Sequence, residues 1–452
     1  MTEASPCDAT SPYCADDLTC AEMTDGEHQC HFPVQVTGRV MTASDGTPIA
    51  FAHILARDEE GVATSDIAVS DDEGHYLLEV PIIRDDTGAP TAGDFTLRAA
   101  AQDFQTFPSG LRTALPLSGN DAVQQESGIW IISGAPTDIA LIGLPEADDT
   151  RQQISGHLAT SDDDSAAQVA GVLVVAAGTE HSHSAISDRL GNFTIFNVSA
   201  GDYTLSGYAA GLEVTPVDLQ VSTQDIEDVA MDAASASLST VEGTIQMVNA
   251  PGGALTSVIL VVADTFDERF VRGETPRGLR APQPGAPGID GSFSIPHVPD
   301  GDYVILAAFE NDDLVRDPDT NIAGTDLVRI TMSGADISVS ESFKVTESLA
   351  ILSPGASEPE AVTSAPVLRW ADDSSEDYYQ VVVYDAFGEE VFRNDRVPGQ
   401  SGSADVTLPY DGPLEVGMYY QFRVSSWRSP GGKAPAPISS TEDLRGVFYV
   451  TE

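Results

Sequence analysis

The chain has 452 residues, 41% of them hydrophobic, and a formal charge of −50 from 71 acidic against 21 basic residues. That length predicts about three or four domains, and the longest apolar runs, 172–177 and 258–263, fall far short of the roughly 20 residues of a membrane helix. So acidic a surface repels phosphate backbones and anionic lipid, which excludes nucleic acid as a partner. Because Asp and Glu are spread along the whole chain, the excess reads as a well-solvated exterior that keeps a β protein soluble; a calcium-binding or salt-adapted surface is the alternative.

All four cysteines, Cys7, Cys14, Cys20 and Cys30, lie in the first 33 residues. An even count in so short a segment reads as two disulfides of undetermined pairing that staple a module too small for its own core. Zinc would want paired Cys-x₂₋₄-Cys spacing, which these gaps do not supply. Disulfides place the chain outside the cytoplasm. Met1-Thr2-Glu3-Ala4 shows neither a basic nor an apolar leader, so no signal sequence is legible.

From residue 34 onward an internal repeat dominates. Three segments open with an apolar-x-Gly-x-apolar strand: Val36-Thr37-Gly38-Arg39-Val40, Ile154-Ser155-Gly156-His157-Leu158 and Val241-Glu242-Gly243-Thr244-Ile245. Each continues through an Asp-rich turn into a Gly-x-aromatic strand, at Asp71 to Tyr76, Asp188 to Phe193 and Asp290 to Phe293. A third landmark follows, as Gly93-Asp94-Phe95, Gly201-Asp202-Tyr203 and Gly301-Asp302-Tyr303. Asp-x-x-Gly supplies the φ > 0 position of a tight hairpin, and alternation after each turn is the period of a strand with one buried face. Copy one carries a longer loop at 84–90. Sustained helical spacing is absent, so the expected fold is all-β, a row of sandwiches bounded as 34–148, 149–235 and 236–348. The Pro/Gly-rich stretch 276–288 is expected to be a mobile loop.

Residues 349–452 follow another pattern, with strands at Val367-Leu368-Arg369-Trp370, Tyr378 to Tyr384, Tyr419 to Val424 and Val447 to Val450. This predicts a fourth sandwich with Trp370 in its core.

On these landmarks the three repeats resemble the carboxypeptidase regulatory-like domain, a transthyretin-like sandwich, with Val69 to Tyr76 and Ile186 to Phe193 carrying the turn best. The C-terminal part resembles a fibronectin type III or related Ig-like module through Trp370 and Tyr420 to Val424. The Cys-rich segment is similar to small leaders on secreted bacterial surface proteins. The resemblance implies a non-enzymatic stalk, spacer or adhesive protein on a cell surface, the bacterial outer surface by preference, that binds other surface proteins or copies of itself, with assembly into a fibre as a variant. Peptidase activity is not implied, since the zinc-binding catalytic domain that accompanies such modules has no counterpart here. Related adhesins carry Lys–Asn cross-links, but copies one and two contain no lysine.

Candidate sites are few. Asp312, Asp313, Asp317, Asp319 and Asn321 alternate oxygen-bearing side chains as a calcium loop does, although Ile322 and Val328 stand where an EF-hand has Gly and Glu. Glu180-His181-Ser182-His183 could offer two imidazoles, with Asp188 as third ligand, to zinc or copper; an exposed polar hairpin is the other reading. Asn192 and Asn197 sit in glycosylation sequons. Trp130, Trp427, Tyr378 and Tyr379 are the aromatics to inspect for a carbohydrate platform, the rival to a structural role. No nucleophile elbow, zincin motif or phosphate loop is present, so neither a catalytic residue nor a cofactor site is assigned.

Overall fold

The computed structural model describes residues 4–7, 14, 18–58, 61–91, 93–145, 151–160, 169–179, 181–247, 256–283, 288–289, 291–309, 327–345, 348–373, 376–399, 405–429, 435–441 and 445–452. Among them the chain is all-β, with only short 3₁₀ turns between strands.

The three repeats share one topology. In the first, Val34–Thr42 pairs antiparallel with His75–Val80 and parallel with Trp130–Ser133 and Ile139–Leu141. The second places Gln152–Thr160 between antiparallel Asn192–Val198 and parallel Ile226–Ser235. In the third, Ser239–Met247 lies between Ser292–Val298 and Ile337–Val345 in the same senses. Each repeat has a second sheet, built on His53–Asp58, Leu173–Gly178 and Thr256–Val262 respectively, each antiparallel to the strand that carries the Gly-Asp-aromatic landmark.

Two of the sequence landmarks turn out to be the two sides of one contact. Gly38 lies directly opposite Tyr76, Gly156 opposite Phe193 and Gly243 opposite Phe293. A Cβ on Gly156 would stand 2.2 Å from the Val229 carbonyl oxygen and 2.8 Å from the Phe193 ring. On Gly38 it would stand 2.2 Å from the Thr137 carbonyl and 2.8 Å from the Tyr76 hydroxyl. The glycine is there for space: the aromatic folds over the bare backbone and fills the sheet where a side chain is missing.

The Asp-rich turns close by a common set of bonds. At Asp188 the backbone N–H donates to the Asn192 carbonyl (2.9 Å), and Gly191, at φ +87°, donates back to the Asp188 carbonyl (3.0 Å). The Asp188 carboxylate accepts from the N–H groups of Leu190 (2.9 Å) and Asn192 (2.8 Å). Asp71, Asp85 and Asp385 repeat this arrangement, with positive-φ glycines at Gly74, Gly88 and Gly388. The long loop of copy one is thus a further hairpin of the same kind.

The sequence reading missed a fourth landmark. Asp138-Ile139, Asp225-Ile226 and Asp336-Ile337 each begin the parallel strand of their repeat, and each Asp carboxylate accepts from an N–H of the opening strand. The bonds run from Arg39 (3.0 Å), Gln153 (2.9 Å) and Thr240 (2.8 Å). A parallel pair has no hairpin to fix its register, and this side-chain bond pins one end of it.

The C-terminal part packs Ile351–Ser353, Val367–Ala371 and Asp405–Pro409 against a six-stranded sheet around Tyr378–Asp385 and Tyr419–Arg428. Trp370, Tyr379, Tyr420, Phe422 and Phe448 fill the space between the sheets.

The stretch 276–288, expected as a loop, contains Arg280–Ala281, an edge strand against Thr256–Val262, with Leu279 fully buried beside it. Its prolines are tolerated because the strand is at the sheet edge. At the N-terminus, Cys7 pairs with Cys20 and Cys14 with Cys30. The hairpin Thr19–Glu22 and His28–His31 is fixed to the first sandwich by buried Arg84, whose backbone N–H donates to the Glu22 carbonyl (2.9 Å) and whose guanidinium donates to the carbonyls of Gly88 and Phe32.

The chain divides into two compact units. The first comprises Met1–Ser109, Thr113–Tyr208 and Val214–Ser235; the second comprises Gly110–Arg112, Ala209–Glu213 and Ala236–Glu452. The five sequence-derived segments are finer than this division.

Candidate functional site

Among the described residues, several candidates are committed to bonds within the fold. Asp312, Asp313, Asp317, Asp319, Asn321 and Glu180 lie outside the described residues. Asp188 is buried, and its carboxylate is occupied by the hairpin N–H groups and the Asn192 amide (3.1 Å). It is not offered to His181 or His183. The His183 ring packs beside Tyr203 at 6.1 Å, and burial, followed by the neighbouring His181 and Arg151, pushes its pKa down to about 4. Among the described residues, the one cluster with metal-ligand spacing is Cys7, Cys14 and Cys30, all engaged in disulfides.

The four aromatics do not form a platform. Tyr379 is 0% exposed and meets Trp370 edge-on at 5.5 Å, and Trp130 packs against the first core. Tyr378 and Trp427 stack on one another at 6.2 Å, with the Arg396 guanidinium 4.8 Å from the Tyr378 ring centre. The guanidinium takes one ring face of Tyr378 that a sugar would use.

The best-developed polar constellation lies inside the first unit, where the first two sandwiches meet. Asn197 is its centre. Its amide nitrogen donates to the carbonyls of Ala101 (3.1 Å) and Phe104 (2.9 Å), and its amide oxygen accepts from the Asp103 N–H (2.6 Å). Both Asn197 (φ +63°) and Asp103 (φ +65°) are left-handed, a conformation that Asn and Asp tolerate best after glycine. As a sequon, Asn197 is therefore ruled out in the folded state, because its nitrogen is already tied to backbone.

A second clamp lies to one side. Arg189 holds Asp66 through two parallel bonds of 3.0 Å each, and its backbone N–H donates to the Ser65 carbonyl (3.2 Å). Arg151 adds a third contact, reaching Asp103 at 3.4 Å and the Pro145 carbonyl at 2.7 Å. Gly171 fits so closely that a Cβ would stand 2.7 Å from the Ala63 nitrogen. The second unit contains a related joint, in which Gly211, at φ +76°, donates to the carbonyl of His297, at φ +60° (2.8 Å). Asn197 was legible in the sequence only as a sequon, since its real partners are backbone groups in the preceding repeat. The signal that could have found it is its place four residues before the glycine of Gly-Asp-aromatic, matched by His297 in copy three.

No protein-family model and no curated protein matches the chain. Solved structures that are similar include the TIE protein of Bacillus anthracis, 10% identical over 98% of this chain and 72% of that one, with a TM-score of 0.15. Two B repeat units of the collagen binding protein of Staphylococcus aureus are 10% identical over 92% and 98%, with a TM-score of 0.20. The major pilin subunit of Bacillus cereus is 9% identical over 69% and 98%, with a TM-score of 0.18. At such scores the account of the fold rests on the strand pairings of this chain alone.

Proposed function

We propose that this is a non-enzymatic structural or adhesive protein of the cell exterior, built of four β-sandwiches at 34–148, 149–235, 236–348 and 349–452 behind a disulfide-stapled leader at 1–33. The observation that carries this reading is the joint at Asn197, where side-chain and backbone polar groups are spent on fixing one sandwich against the next. A half-buried amide that satisfies three backbone groups is costly to break, on the order of 1 kcal/mol for each bond lost. It makes a stiff spacer out of modules that short linkers alone would leave hinged. Two disulfides in a module without a core of its own support an oxidising compartment. The carboxypeptidase regulatory-like and fibronectin type III assignments belong to this proposal, as does assembly with further copies or other surface proteins.

The test is surface labelling of intact source cells with a membrane-impermeant reagent, with electron microscopy and sedimentation of the purified chain alongside. Labelling with oxidised cysteines is the expected result, and recovery from the cytoplasm with four free thiols would sink the reading. Filaments or larger assemblies support the fibre form, whereas a monodisperse single chain leaves a spacer. Asn197→Ala is expected to split melting of the first unit into two steps.

A further inference from the structure

A cleft of about 610 Å³ opens between the first two sandwiches of the first unit, beside the Asn197 joint. That volume is ordinary for ligand clefts, which run from about 300 to 1,000 Å³ and favour domain junctions. Phe51, His53, Gln102 and Phe104 line it from the first sandwich, Gln153 and Phe196 from the second, with threonine hydroxyls at the rim. In a chain that is 20% charged, none of the lining residues is Asp, Glu, Lys or Arg. Charge borders the cleft without lining it, as at Asp45, which accepts from the rim hydroxyl of Thr42.

Phe51 is the anomaly. The two repeats align here by their bonds: Phe51 N–H donates to the Ser70 carbonyl (3.0 Å) and Ala52 N–H to Ser70 Oγ (2.9 Å). In copy two Gly171 and Val172 do the same with Ser187, at 3.0 and 2.9 Å. Copy two meets the left-handed backbone of this position with glycine, φ +73°, whereas copy one has a phenylalanine at φ +59° that is 70% exposed. An aromatic residue in that region costs on the order of 1–3 kcal/mol, and burial does not offset the cost here. The strained residue lines the cleft. Next to it His53 meets Phe196 edge-on at 5.0 Å, and its Nδ1 is buried without a hydrogen-bond partner.

We propose that this cleft binds an uncharged saccharide. An ion would enter a lining that holds no countercharge. A purely apolar side chain would leave the Gln153 amide and the Gln102 amide oxygen unanswered, the Gln102 amide nitrogen being already bonded to the Arg151 carbonyl (3.1 Å). A neutral sugar ring presents both what the aromatic side chains need, an apolar C–H face, and what the glutamine amides need, donors and acceptors at its rim. The inference is a property of the first unit and holds whether or not the chain stands on a cell surface.

The experiment is a glycan array spanning neutral hexose, pentose and N-acetylhexosamine oligosaccharides together with uronic and sulfated ones, probed with the full chain and with Phe51→Gly and Gln153→Ala. Phe51→Gly installs the residue that copy two uses and relieves the backbone, so it folds while losing the ring. Retention of one or more neutral glycans is expected, with affinity reduced about tenfold or more in each variant. Retention of acidic glycans alone, of none, or with unchanged affinity in Phe51→Gly overturns the proposal. Binding of indole without any neutral glycan would make the cleft an apolar groove and overturn it equally.

Discussion

At the scale of single residues, part of the acidic excess has a structural use. Asp71, Asp85, Asp188 and Asp385 each accept two backbone N–H groups inside a hairpin, while Asp72 and Asp86, next to two of them, face water. Asp188→Asn weakens these charge-assisted bonds at a buried site and is expected to cost about 1–3 kcal/mol in urea unfolding. Asp72→Asn, one residue after the equivalent turn aspartate, should change stability by less than about 0.5 kcal/mol. Equal effects would mean that the carboxylates act only through net charge.

His183 gives the molecule a pH dependence with a definite sign. Its folded-state pKa of about 4 lies below the ordinary 6.5, so the folded protein holds the neutral ring and the unfolded chain binds the extra proton. Stability from this group is complete above pH 6.5 and is lost as the pH falls from 6.5 toward 4. The loss is at most about 3 kcal/mol, and less to the extent that solvent reaches the ring. Burial lowers the pKa of His53 as well, so it adds to the slope in the same direction. Unfolding free energies measured across this window should fall on acidification in the wild type and fall less steeply in His183→Gln. An unchanged slope would mean that other groups set it.

At the scale of elements, what unites the repeats is a pairing of absence and presence: a strand without a side chain at one position lies opposite a strand with an aromatic one. Gly156→Ala would drive a methyl to within 2.2 Å of a backbone oxygen, which cannot retreat without opening the parallel pair. The expected cost is about 3 kcal/mol. Gly46, at φ +71° with no atom within 4 Å of a built Cβ, offers the contrasting case, in which Ala meets only left-handed strain of about 1–2 kcal/mol. Chemical denaturation of the two variants should rank them in that order. The reverse ranking would show that glycine serves conformation in the strand too.

At the scale of the whole molecule, a formal charge of −50 opposes compaction. Screening shortens the range of that repulsion to about 10 Å at 0.1 M salt and to about 3 Å at 1 M. The melting temperature should therefore rise steadily as sodium chloride goes from about 0.05 M to about 1 M. Calcium at matched ionic strength should add nothing to this rise unless the Asp312 to Asn321 segment binds it, so an excess stabilisation by calcium over magnesium would assign that segment as a site. A melting temperature indifferent to salt would contradict the repulsion argument.

Most of the architecture was present in the sequence, because period-2 alternation and Asp-x-x-Gly turns are local signals. Tyr76, Phe193 and Phe293 announced their strands, and Trp370 announced a core. The stretch 276–288 misled, since composition reports a loop there while Leu279 and Ala281 alternate into a sheet edge. The sequence by itself determined the all-β class, the threefold repeat, the cysteine staple and the repulsive surface, all of which follow from residues close together along the chain. Only the tertiary structure decided that Gly156 faces Phe193, that Asp225 pins a parallel pair, that Asn197 joins two sandwiches and that Phe51 stands strained over an uncharged cleft. Each of those is a contact between residues many positions apart, and long-range contacts leave no periodic trace in the chain that makes them.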